Sequence, residues 1–136
     1  MQVEYQGRRS DTTEIAIVPT APAIFGLVPN ADAKAGSVIT VFLTGEGATT
    51  PPGVDGRVAT AQPGRLNVYP RPLAPVTAKI GGLPATVQYA GAAPFNVTGL
   101  CQVNMVIPEN VPPGNVPVEI VIGGKATQSG INIAVR

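Results

Sequence analysis

The chain has 136 residues, of which only 12% are charged, and its net charge is +1 at pH 7. Scattered, nearly balanced charge predicts no nucleic acid partner, because such binding needs a clustered basic surface. No apolar run reaches the ~18 residues of a membrane-spanning helix, so no membrane span is predicted. Histidine and tryptophan are absent, and the single cysteine, Cys101, excludes an intramolecular disulfide and a thiolate metal cluster.

The first eighteen residues resemble the end of the same chain. The sequence V-E, then G-R-R-S, then I-A-I within residues 1–18 matches V-E, G-K-A-T and I-A-V within residues 118–135. We therefore interpret residues 1–18 as a strand or hairpin segment that resembles the end of a preceding domain of the same type. A Pro-rich linker at 19–25 and a domain at 26–136 would follow. The alternative is that two polar hairpins resemble each other by chance.

The rest of the chain consists of short alternating runs separated by many of its 16 glycines and 15 prolines. Residues 37–43 are almost wholly apolar, which predicts a central strand covered on both faces. No segment shows a sustained helical period, so we predict an all-β, immunoglobulin-like antiparallel β-sandwich of seven to nine strands with Gly/Pro-rich loops. Tyr89 alternates with apolar neighbours and is assigned to the core side. The predicted inward set is Ile39, Val41, Val76, Ile80, Val87, Val103, Met105, Ile120 and Ile133.

A hairpin signal occurs twice. The pattern V-x-x-x-I-G-G is found at residues 76–82 and again at residues 118–124, each time followed by a second alternating run. Adjacent glycines supply the positive φ angles that two-residue hairpin turns require. Each Gly-Gly pair is therefore predicted to form a tight turn with at least one residue at positive φ.

Five motifs occur in order along the chain. They are T-G-E-G at 44–47, P-P-G-V-D-G at 51–56, I-G-G at 80–82, Q-Y-A-G-A-A-P at 88–94 and Q-V-N-M-V-I-P at 102–108. In these motifs the chain resembles, over roughly residues 22–136, the C-terminal domain found repeatedly in large uncharacterised exported proteins of Solibacter-type acidobacteria. The resemblance implies an extracellular or cell-surface, immunoglobulin-like sandwich related to IPT/TIG domains, and it implies no activity and no functional residues. Residues 57–72 depart from the pattern by being longer and more polar.

Two carboxylates are weak candidates for a calcium site. Glu46 lies between two glycines that would let backbone carbonyls approach an ion, and Asp55 follows in a Pro/Gly-rich loop. Calcium takes six to eight oxygen ligands, and the spacing of an EF-hand loop is missing. The favoured alternative is that both carboxylates bond backbone amides and shape a long loop. No catalytic residue, metal or cofactor is assigned, and an enzyme is not expected.

Sugar binding is the alternative function. The tyrosines expected to be exposed are Tyr5 and Tyr69, and the loop of Tyr69 also carries Arg65 and Arg71 as weak sugar candidates. A row of surface tyrosines on one flat face would favour a polysaccharide partner. The competing interpretation is an amphipathic tyrosine at a sheet edge. Cys101 is expected to be a buried small hydrophobe.

The favoured function is a non-catalytic extracellular structural or interaction module. A lone strand pair is only marginally stable in water, so residues 1–18 are expected to dock on their own sandwich, on a second copy or on the next subunit of a fibre. Contact between protein chains, possible self-assembly included, is therefore assigned to the apolar residues of this segment. These residues are Val3, Tyr5, Ile15 and Ile17.

Overall fold

A computed structural model of the chain describes residues 1–28, 33–60 and 68–136, and this part contains strands and no helix. The strands are β1 (Glu4–Tyr5), β2 (Arg8–Arg9), β3 (Ala23–Val28), β4 (Val38–Thr44), β5 (Thr49–Thr50), β6 (Arg71–Pro72), β7 (Val76–Ile80), β8 (Leu83–Ala92), β9 (Cys101–Val106), β10 (Gly114–Ile122), β11 (Lys125–Ala126) and β12 (Asn132–Val135). The short pairs β1–β2 and β5–β6 each form a two-stranded sheet. All pairings between named strands are antiparallel.

The larger sheet curls into a sandwich because one strand belongs to both of its halves. The first part of β8 pairs with β7, and the rest of β8 pairs with β9. One half is therefore ordered β3-β4-β9-β8, and the other contains β7, β10 and β12. Counted in chain order, these halves have the A-B-E-D and C-F-G arrangement of immunoglobulin-like sandwiches. The predicted all-β sandwich is confirmed.

The core lies between the inward faces of these two halves. Seven of the nine predicted inward residues are at most 2% exposed, while Val76 and Val87 are half-buried and pack against the same cluster. Period-2 alternation identified these residues because each strand has one face toward the core. The predicted core is confirmed. The largest fully buried side chains include Ile39, Leu43, Ile80, Met105, Ile107, Ile120 and Ile122.

Both Gly-Gly pairs form the predicted turns. Gly81 and Gly82 have φ of 61° and 79° and join β7 to β8, while Gly123 and Gly124 have φ of 58° and 79° and join β10 to β11. Positive φ at both central positions is the mark of the type I′ turn, whose twist matches that of the flanking strands. The turn prediction is therefore confirmed at all four glycines.

Tyr89 does not point into the core as predicted. The register of β8 against β9 shifts between Val87 and Tyr89, so that Tyr89 lies opposite Asn104 and Ala90 packs against the core instead. An extra residue in one strand reverses the alternation beyond it and redirects the following side chains. The bulge places Tyr89 on the outer surface of the sheet.

The two ends of the sheet path are joined by a side chain. Gln128, which follows β11, accepts a hydrogen bond from the backbone N–H of Ile24 in β3 over 2.9 Å. The amide of Gln128 also donates to the carbonyl of Ile24. This pair of bonds substitutes for a neighbouring strand at one point of an edge strand, where unpaired backbone groups would otherwise be open to other chains.

Candidate functional site

The N-terminal hairpin, defined as residues 1–18, is held in shape by its own hydrogen bonds. Tyr5 pairs with Arg8 across a two-residue turn formed by Gln6 (φ 50°) and Gly7 (φ 74°). On the outside, Arg9 donates to the carboxylate of Glu4 over 2.8 Å. These local contacts define the shape of the hairpin without any contribution from the sandwich.

The apolar side chains of this hairpin are exposed. Every residue from 1 to 19 belongs to the exposed class. The four residues assigned to chain contacts are Val3 (56% exposed), Tyr5 (72%), Ile15 (54%) and Ile17 (99%). Packing of these side chains on their own sandwich, one of the three docking alternatives, is therefore not observed. Their exposed apolar surface is the kind that marks an interaction site.

Residues 19–22, named the stalk, attach the hairpin to the sandwich. The buried hydroxyl of Thr20 donates to the carbonyl of Ile122 over 2.9 Å, and the N–H of Ala21 donates to the carbonyl of Gly45 over 3.0 Å. A Cβ at Gly45 would overlap the carbonyl of Ala21, so the stalk fits only because this position is glycine. β3 begins at Ala23, inside the segment 19–25 that was interpreted as a linker.

Glu46 and Asp55, the two calcium candidates, line the same cavity of about 630 Å³. Glu46 is only 7% exposed, and desolvation raises the pKa of its carboxyl group, while a hydrogen bond to its own backbone opposes the shift. Within the described ranges, no three His, Cys, Asp or Glu side chains come together as a metal site. The cavity thus offers two carboxylates and neighbouring hydroxyls, fewer charged ligands than a strong calcium site uses.

Cys101 is fully buried in the core, as predicted. Burial raises the pKa of its thiol to about 12, and the negative charge of nearby Glu46 acts in the same direction. Because the thiolate is the reactive form, this cysteine is chemically inert at neutral pH.

The sugar candidates are placed differently from the prediction. Tyr69 is only 9% exposed and packs with Ala59 and Ala92, so the expectation that its ring is exposed is wrong. The N–H of Ala92 donates to the carbonyl of Pro70 over 2.7 Å, which holds the residues next to Tyr69 against the end of β8. No local pattern in the sequence encodes this long-range contact. Arg65 lies outside the described residues.

Arg71, one of the sugar candidates, pairs with Tyr89, which the sequence analysis had assigned to the core side. The guanidinium of Arg71 lies 5.4 Å from the centroid of the Tyr89 ring and covers one face of it, and the Tyr89 hydroxyl donates to the carbonyl of Ala92 over 2.6 Å. Burial raises the pKa of Tyr89, and the positive charge of Arg71 opposes this. Both side chains line a cavity of about 320 Å³, whose other lining residues include Tyr69, Gln102 and Asn104. The structure therefore brings the two sugar candidates Tyr69 and Arg71 to one site.

An exposed apolar cluster just beyond the C-terminal end of β8 was also missed. Phe95 is 75% exposed and has φ of 60°, which is rare for a bulky side chain. Its N–H donates to the carbonyl of Ala59 over 2.9 Å, and the adjacent Val58 and Val97 form an isolated bridge. The Pro-Phe-Asn sequence offered only a general turn signal here.

No family model, curated protein or solved structure matches the chain. The part of the chain that the structure describes contains no helix long and apolar enough to cross a membrane.

Proposed function

We propose that this protein is a non-catalytic, extracellular interaction module and that its N-terminal hairpin makes the contact with other protein chains. The observation that carries the proposal is the exposure of Val3, Tyr5, Ile15 and Ile17 on a hairpin that extends from a docked stalk. The extracellular location and the absence of catalysis come from the family resemblance and from the residue types present, and both belong to the proposal.

Nothing in the described part of this chain covers the apolar side chains of the N-terminal hairpin. Two short strands do not form an independently stable sheet in water unless an apolar face is covered. Full burial of one large apolar side chain contributes roughly 1.5–3 kcal/mol, so covering several would stabilise the hairpin strongly. The unpaired backbone groups along its edges can also add to a sheet of another chain. Both contributions require a partner, because the sandwich leaves these side chains in solvent.

The experiment is sedimentation of the full chain over a wide concentration range. In the isolated chain the hairpins have one another as partners, so we expect reversible, concentration-dependent association. Ile15→Ser with Ile17→Ser, and separately deletion of residues 1–18, should abolish it. Leu73→Ser is the control, because Leu73 is a large apolar residue that is 64% exposed, between the 54% of Ile15 and the 99% of Ile17, but lies on the sandwich. A chain that is monomeric at every concentration, with or without these changes, would contradict the proposal.

Carbohydrate binding is the second candidate, and the observation in its favour is that Tyr69, Arg71 and Tyr89 line one cavity. Against it, the three tyrosines do not form a row on one face: Tyr5 is on the hairpin, Tyr69 is only 9% exposed and one face of the Tyr89 ring is covered by Arg71. Affinity electrophoresis against common polysaccharides tests this candidate directly. Retardation that Arg71→Ala removes would support it.

A further inference from the structure

The N-terminal hairpin and the last hairpin, defined as residues 118–135, have the same backbone framework. Tyr5 and Arg8 flank the turn of the first as Ile122 and Lys125 flank the turn of the second. In both turns the two central residues have positive φ and the second is glycine. Each residue around the first turn therefore corresponds to the residue 117 positions later in the chain.

A hydroxyl closes both hairpins in the same way. The N–H of Ser10 donates to the carbonyl of Val3 over 2.9 Å, and the N–H of Val3 donates to the Ser10 hydroxyl over 3.1 Å. Thr127 and Ile120 make the same two bonds, again at 2.9 and 3.1 Å. This reciprocal pair involves one side chain and three backbone groups, so it is a far more specific match than a shared glycine turn.

The correspondence extends beyond the hydroxyl once a gap of one residue is placed in the N-terminal hairpin after Ser10. The amino group of Met1 donates to the carbonyl of Thr13, and the N–H of Val118 donates to the carbonyl of Ile131. From here the offset is 118, which aligns the sequence I-A-I at 15–17 with I-A-V at 133–135. The match therefore covers the returning segment as well as the turn.

The equivalent side chains differ in one respect, which is burial. Ile120 and Ile122 are 0% exposed, and Ile133 and Val135 are 2% and 4% exposed. Their equivalents in the N-terminal hairpin are all more than half exposed, and they are Val3, Tyr5, Ile15 and Ile17. The outward positions agree too, because the Glu4–Arg9 ion pair occupies the places of Val121 and Ala126, which face away from the core.

We propose, building on the proposed function, that the partner is another β-sandwich of this kind that lacks its own last hairpin. The N-terminal hairpin would take the place there that residues 118–135 take in this sandwich, and the partner would keep the equivalent of residues 114–117, with which β12 pairs here. It would pair with the strand equivalent to β7 and cover the core with its four apolar residues. The β7 of this chain is already paired with β10 over five residue pairs, so a second intact copy offers no such place.

One sequence difference between the two hairpins also indicates how the core of the partner must differ from the core of this sandwich. Tyr5 stands at the position of Ile122, and a tyrosine is larger and carries a hydroxyl that needs a hydrogen-bond partner when buried. The partner's core must therefore be wider at this point and must provide an acceptor. The hydroxyl closure by Ser10 makes no demand on the partner, because it is satisfied within the hairpin.

The test is a graft within this chain, in which residues 1–17 also replace residues 118–135. One graft carries Tyr5→Ile in the copied segment to fit the Ile122 position, and a control graft carries Val3→Ser and Ile15→Ser in addition. We expect the first graft to unfold cooperatively on heating with a lowered Tm, and the control graft to show no cooperative transition. If both grafts lose the cooperative transition, the proposal is overturned.

A second measurement separates this inference from the proposed function. Hydrogen exchange is followed on the associated wild-type chain, where protection of residues 118–135 should be retained. Loss of that protection would mean that the N-terminal hairpin of one copy has displaced the last hairpin of another copy. That result overturns the partner proposed here and leaves the interaction role standing. A cooperative graft combined with a chain that never associates would overturn the self-association expected under the proposed function and leave the partner proposed here standing.

Discussion

The N-terminal hairpin and the last hairpin have one hydrogen-bond framework and opposite surroundings. The turn and the hydroxyl closure are the same, whereas the apolar side chains lie in solvent in one hairpin and in the core in the other. Local chemistry is therefore sufficient to define the shape of such a hairpin. Its contribution to the free energy of folding depends on what covers it.

The largest effect is expected from truncating equivalent apolar residues. Ile120→Ala should lower the free energy of unfolding by roughly 2–5 kcal/mol because it leaves a cavity in the core. Val3→Ala, at the equivalent position, should change it by no more than about 0.5 kcal/mol in the monomeric chain. Urea unfolding at low protein concentration measures both. Equal effects at the two positions would mean that the N-terminal hairpin is packed against the sandwich.

A smaller effect is expected from removing the closing hydroxyl. Thr127→Val should destabilise the sandwich by about 1–3 kcal/mol, because the buried N–H of Ile120 loses its acceptor. Ser10→Ala should leave global unfolding unchanged, since the N–H of Val3 can bond water instead, and should speed amide exchange only within residues 1–18. A global loss of stability in Ser10→Ala would contradict the comparison.

Valine substitutions in the two turns should differ by about 1–2 kcal/mol in their effect on the free energy of unfolding. Gly124 and Gly7 both have positive φ and open space around the missing Cβ, so valine would be strained at either position without a clash. Gly124→Val should lower the Tm of the sandwich, and Gly7→Val should not. Lys79→Thr is the control, because it changes an exposed strand residue. A Gly124→Val effect no larger than that of Lys79→Thr would show that the turn geometry is unimportant.

The last prediction concerns the pH dependence of the stability of the sandwich, to which Glu46 contributes and the N-terminal hairpin does not. Desolvation raises the pKa of Glu46 above its ordinary 4.5, so the folded state binds the proton more tightly than the unfolded state. This contribution to stability is present below pH 4.5 and is lost as the pH rises through the raised pKa. We therefore expect Glu46→Gln to raise the Tm modestly at pH 7 in EDTA.

The advantage of Glu46→Gln should disappear on acidification below pH 4.5. A glutamine variant that is less stable at pH 7 would mean that the favourable contacts of the charged carboxylate, such as the hydrogen bond to its own backbone, outweigh its desolvation. Exchange rates of residues 1–18, measured in the same samples and corrected for the intrinsic effect of pH, should be the same in both proteins.

The sequence predicted those parts of the fold that local chemistry controls. Alternation identified the core strands, and the Gly-Gly pairs identified the turns. Tyr89 was assigned to the wrong face because a bulge arises from pairing with β9, and nothing within β8 itself announces that register shift. The burial of Tyr69 depends on a long-range hydrogen bond between Pro70 and Ala92, which no local pattern indicates. The hairpin repeat was readable from the sequence, but the exposure of its apolar residues required the structure.

The stalk has a mechanical consequence. When a partner holds the N-terminal hairpin, tension along the chain reaches the sandwich first at Thr20 and Ala21, before it reaches β3. Thr20 is bonded to the end of β10 and Ala21 to the residue after β4, so the load divides between the two halves of the sandwich. Both bonds must break before β3 can be peeled from β4. Four residues thereby make the attachment point of the hairpin a shared anchor instead of the loose end of an edge strand.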